Sequence, residues 1–202
     1  MLTKKYPRLT LAQGASLSVI GLFLGTITWL AALVPSLPLA IKLPLLLFTW
    51  FALWFFTHDL THHIVGSIVG VKFQYYFLGR SGITKLKLPL VSRLMKHVPV
   101  LVLKIDKASL DKISVASRKW MHASGAIASM AMPVLILPTA YTTGPVWVGV
   151  LFTIMVVGSA VFTLYFSPKS GDLYRAWIAK RERRGEWSEW FSFGIQVFPE
   201  GP

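Results

Sequence analysis

His58 and His62 stand four residues apart, with Asp59 directly after the first. On a helix that spacing puts both imidazoles on one face, with Cβ atoms about 6 Å apart. Both rings can then reach one cation, and Asp59 can face the adjacent water position. This is the layout that makes His-Glu-x-x-His work. The metal lowers the pKa of the attacking water and polarises the substrate carbonyl; the carboxylate takes the water's proton and later delivers it to the leaving amine. Here the acid is Asp, shorter than Glu by one methylene and about 1.5 Å of reach.

A third ligand is needed, and Asp172 in Ser167-Pro168-Lys169-Ser170-Gly171-Asp172-Leu173 is the best candidate. Two imidazoles and a carboxylate leave one tetrahedral position open for water, as in catalytic zinc sites. The chain has no cysteine, so thiolate ligands are excluded. Zn2+ suits this donor set, and iron and manganese accept similar groups. The plainer reading of the His pair is a polar network joining helices. For Asp172 it is a cap on a helix Leu173–Arg184. His63 turns about 100° from His62 and reads as a supporting or packing group. His122 reads as an interfacial residue able to hydrogen-bond into the site, and His97 as a surface residue. Ser124-Gly125-Ala126 and Ala128-Ser129 make a thin helix face, suited to close packing or to substrate room with Ser129 offering a hydrogen bond.

These residues must be positioned by a membrane. The 202 residues are 54% hydrophobic and 14% charged, whereas soluble domains carry about 25% charge. Four apolar runs, about 11–34, 43–69, 121–141 and 146–166, each have the length of a transmembrane helix. The first is expected to remain as an anchor rather than be cleaved. The expected fold is an all-α membrane domain (residues 1–184) with a small β-rich insertion at 70–120 and an aromatic interfacial tail at 185–202. In the insertion, Val71–Leu78 and Val98–Ile105 have strand composition, residues 79–82 read as a turn, and Ile83–Leu90 partly alternates. Ser109 is expected to cap a helix from Leu110 to Trp120, with Asp111 in its first turn.

Charge sets the direction. Lys4, Lys5 and Arg8 precede the first run, the 70–120 insertion is densely basic, and Lys169 to Arg184 follow the last run. Only Lys42 lies between runs one and two, and no basic residue lies between three and four. Four crossings gather every basic segment on one side, which the positive-inside bias makes the cytoplasm of a cell membrane. The net charge of +13 then faces anionic lipid headgroups. No finger, Gly-rich loop or RNP-like motif points to nucleic acid.

The same residues resemble the site-2 protease family of intramembrane zinc metalloproteases. His58-Asp-Leu-Thr-His62, Ile68-Val-Gly70-Val-Lys-Phe73 and Phe77-Leu-Gly79-Arg-Ser-Gly82 resemble its catalytic helix, following strand and Leu-Gly-x-x-Gly turn. Ala123 to Ser129 is similar to its Ala-Gly-Pro-x-x-Asn helix. Ser167 to Leu173 is similar to its Asn-x-x-Pro…Leu-Asp-Gly region. The resemblance covers about residues 43–178. It implies zinc on His58, His62 and Asp172, Asp59 as base and acid, and a membrane-embedded peptide substrate. It also implies that Val71–Leu78 pairs with an unwound substrate, with Tyr75 and Tyr76 at the rim. The departures are Asp59 for Glu, Ala126 for Pro, Ser129 for Asn, and Leu173 for the Gly after the aspartate. They keep open a non-proteolytic scaffold or regulatory protein of the same fold. A di-iron histidine box needs more histidines than the five present. A transporter would be expected to show an inverted repeat, and none is evident.

Overall fold

The computed structural model describes residues 7–80 and 99–182. Four helical stretches are long and apolar enough to cross a bilayer: Leu11–Ala32, Leu39–Ile68, Val115–Thr142 and Val146–Pro168. Their outward faces carry large exposed apolar side chains, among them Phe23, Leu30, Ile154 and Val161. In water that surface would be costly; in hydrocarbon it is the solvated face. The chain is a multi-pass membrane protein.

Helix α1 (Leu11–Ala32) starts at a reciprocal capping box: Gln13 N–H donates to Thr10 Oγ1 at 3.2 Å, and Thr10 N–H donates to Gln13 Oε1 at 2.9 Å. It packs on α2 (Leu39–Ile68) through Gly21 and Gly25, where a Cβ would strike Phe56 and Ala52. Helix α2 starts earlier than the expected residue 43. It absorbs Pro44 in its second turn, forgoing one backbone bond. His58 lies nineteen residues beyond Leu39, or about 28 Å along the axis. One hydrocarbon thickness is about 30 Å, so His58 lies nearly a full hydrocarbon thickness along α2 from its start.

Gly70, with φ +90°, ends α2 in a conformation that costs any other residue, and Val71 N–H closes the turn on the Gly66 carbonyl at 2.8 Å. Strands β1 (Arg8–Leu9), β2 (Phe73–Arg80) and β3 (Pro99–Ile105) form an antiparallel sheet in that order. The β-rich insertion is thus present, but its sheet recruits a strand from before α1. Two residues had no periodicity from which β1 could be read. Gly79 and Arg80 continue β2 instead of turning, because Val100 and Pro99 pair with them. Residues 83–90, His97 and the 185–202 tail lie outside the described residues.

The expected Ser109 cap is corrected. Asp106 caps a four-residue helix, α3 (Lys107–Leu110), and Ser114 caps α4 (Val115–Ala131). Ser109 instead accepts from Lys72 N–H at 2.8 Å, tying α3 to the start of β2. The third span therefore begins before Met121. Buried Arg118 donates to the Leu110 carbonyl at 2.7 Å and lies 3.3 Å from Asp111, so α3 is held against the first turns of α4. Pro133 and Pro138 shape the rest of the span: a 3-10 segment Met132–Ile136, then α5 (Leu137–Thr142). Helix α6 (Val146–Ser170) returns, and α7 (Asp172–Glu182) follows a single-residue break at Gly171.

At the end opposite the sheet, Ala32, Leu46, Ile136, Ala140, Val148 and Phe152 form a fully buried cluster. Lys42, only 5% exposed, donates there to the carbonyls of Pro35 and Thr143 at 3.3 and 3.1 Å. The solitary basic residue on that side is buried among the carbonyls of two connections.

Candidate metal centre

His58 and His62 do share one face of α2, with ring centroids 4.9 Å apart and planes at 85°. Asp172 reaches them from the first turn of α7. Its Oδ2 lies 3.1 Å from His58 Nε2 and 3.3 Å from His62 Nε2. The three ligand atoms fall within 4.8 Å of one another. A tetrahedral ion with bonds of about 2.0–2.1 Å sets its ligand atoms about 3.3 Å apart, so both carboxylate edges are already of the right length. The group could hold a metal ion.

The turn after the fourth span makes this meeting possible. Gly171 lies so close to Ser167 that a Cβ would fall 2.9 Å from its Cα, so only glycine lets the chain fold back here. Leu173 N–H then donates to Ser167 Oγ at 3.0 Å, capping α7. Both sequence readings of Asp172 hold together. It is a first-turn carboxylate, where the helix dipole favours negative charge, and it faces the imidazoles. Burial opposes its charge, but His62 and His58 hold the carboxyl well below the usual carboxylate range.

The donor chemistry fits a cation. His62 Nδ1 lies 2.7 Å from the Met121 carbonyl. A carbonyl only accepts, so Nδ1 donates a proton there. The buried Nε2 has no hydrogen-bond partner among the described residues and lies 3.3 Å from Asp172 Oδ2. A metal ion or a proton between that nitrogen and the carboxylate would satisfy both. Asp59 lies within electrostatic reach of His58, His62 and Asp172, beside the ligands rather than among them.

His63 turns away, as its position on the helix required. Its Nδ1 lies 3.0 Å from Tyr76 Oη, and its ring packs edge-on to Phe73 at 5.3 Å. Tyr76 is fully buried against Gly14, not at a rim. Burial and then the Asp59 charge push its hydroxyl well above the usual tyrosine range, so it serves as a neutral hydrogen-bonding group. Tyr75 instead carries the Arg8 guanidinium over its ring at 4.8 Å. His122 is buried, only 4% exposed, within electrostatic reach of Arg175, Asp172 and His62. Strand β2 is the middle strand, with β3 along one edge and β1 at Tyr76 and Phe77 on the other. Ser129 lies 2.9 Å from His58 Nδ1, so it faces a candidate ligand rather than an open substrate space. The sequence signal for this was its place eight residues after Met121 on the same face.

No family model, curated protein or solved structure matches this chain.

Proposed function

We propose that this protein is an intramembrane zinc metallopeptidase that hydrolyses membrane-embedded peptides. The observation that carries the reading is the convergence of His58 and His62 with Asp172, 110 residues beyond His62, with their ligand atoms within 4.8 Å of one another. Zinc bound there would supply a Lewis acid that activates water at neutral pH. Asp59 accepts the proton of the attacking water and returns it to the departing amine. The apolar helices exclude bulk water, which strengthens each of these interactions. The substrate is an extended segment of a membrane peptide, whose backbone needs hydrogen-bond partners in a low-water site.

The clustering of basic residues supports a topology with the sheet end, both termini and the insertion in the cytoplasm, facing anionic lipid. The shorter Asp59 is the observation that favours the second reading, a scaffold that keeps the fold without hydrolysis. Purified full-length protein in detergent decides between them. The expected result is one zinc per chain by mass spectrometry and cleavage of transmembrane peptides that Asp59→Ala abolishes while zinc is retained. A metal-free preparation that takes up no added zinc would end the metallopeptidase reading. Zinc without cleavage in either wild type or Asp59→Glu, across a broad panel of peptides, would establish the scaffold.

A further inference from the structure

Resting on the metal reading above, we infer that Ser129 is a positioning residue that fixes His58 in its metal-binding tautomer. Met121, Gly125 and Ser129 recur every four residues on α4 and face His58 and His62, spaced by four on α2. The two helices run antiparallel here: Ser129 meets His58, and the Met121 carbonyl meets His62. Gly125 lies between, where a Cβ would overlap the His62 ring.

Each imidazole is held from behind. The Met121 carbonyl takes the Nδ1 proton of His62; it also accepts from Ser124 Oγ at 2.9 Å, which leaves it anchored on two donors. Ser129 has one hydroxyl proton, and its Oγ donates it to the Gly125 carbonyl at 3.0 Å. Toward His58 Nδ1, at 2.9 Å, that oxygen therefore accepts. With a proton held on Nδ1, His58 can present Nε2, which lies 3.1 Å from Asp172 Oδ2, to a metal ion. Partners behind metal-bound histidines characteristically fix tautomer and ring orientation. The thin face of α4 thus becomes the support of the metal centre. Ser129 acts through His58 and does not touch the ion.

The test uses full-length protein in detergent with Co2+ as the probe, comparing wild type, Ser129→Ala and Ser129→Thr. Wild type binds Co2+ with a tetrahedral visible spectrum. Ser129→Ala weakens binding about 10–100-fold and alters that spectrum, while the metal-free protein unfolds at the wild-type temperature. Ser129→Thr restores affinity and spectrum because it returns the hydroxyl. Wild-type affinity and spectrum in Ser129→Ala would overturn the assignment and leave the metal centre standing. Equal losses in Ser129→Ala and Ser129→Thr would also overturn it. A wild-type protein that takes up no Co2+ would overturn the metal centre itself, and the assignment with it.

Discussion

Three carboxylate and imidazole groups meet here at distances suited to an ion, but they are not interchangeable. Asp172 offers its carboxylate from the turn after the fourth span, 3.1 and 3.3 Å from the two imidazoles, whereas Asp59 lies outside that group. Their removal should separate two functions. Asp172→Ala should abolish stoichiometric zinc, because two imidazoles alone leave an incomplete site; zinc analysis after gel filtration checks this. Asp59→Ala should keep the zinc and lower hydrolysis about 10²–10⁴-fold, the usual share of a positioned general base, read as initial cleavage rates. His63, in the same helix turn as His62, and Tyr76 on β2 provide the contrast. Tyr76→Phe removes a buried hydroxyl from His63 Nδ1 and should cost about 1 kcal/mol in unfolding free energy. Zinc content should stay at one per chain, because neither group reaches the ligand atoms.

At the scale of elements, the site depends on how helices end. Helix α2 stops at Gly70 because a positive φ is needed to send the chain into β2. Gly70→Ala should destabilise the protein by about 1–2 kcal/mol, measured by denaturant titration in detergent. At the opposite end Lys42 binds the carbonyls of the α1–α2 and α5–α6 connections. Lys42→Met keeps the aliphatic stem but leaves two carbonyls without their donor. It should cost about 1–3 kcal/mol, with zinc binding unchanged because the site is at the other end of the molecule. Equal stability of Lys42→Met and wild type would show that these carbonyls find water instead.

The whole molecule is organised by its charge. The described basic residues outside Lys42 gather at the sheet end, and the connections at the far end are apolar or neutral. With no native cysteine, single-cysteine variants report orientation without background. Lys112→Cys should be shielded from a membrane-impermeant maleimide added outside intact cells, and Ser36→Cys should be labelled. The reverse pattern would invert the topology.

Hydropathy and charge are additive along the chain, and so four spans, their common basic end and the His58/His62 face could be read directly from residue order. A strand of two residues, a cap shifted from Ser109 to Ser114, and the burial of His122 and Tyr76 could not. Each depends on a partner remote in sequence: Phe77 for Arg8, Lys72 for Ser109, Gly14 for Tyr76. Asp172 could be named from its place just beyond the fourth span, but its approach to the imidazoles could not be measured there. Spacing on α2 could align two rings, whereas the packing of α4 on α2 and of α7 on α4 brings Asp172 and the backing groups to them. Local periodicity is a property of one helix, whereas a coordination polyhedron is a property of several at once.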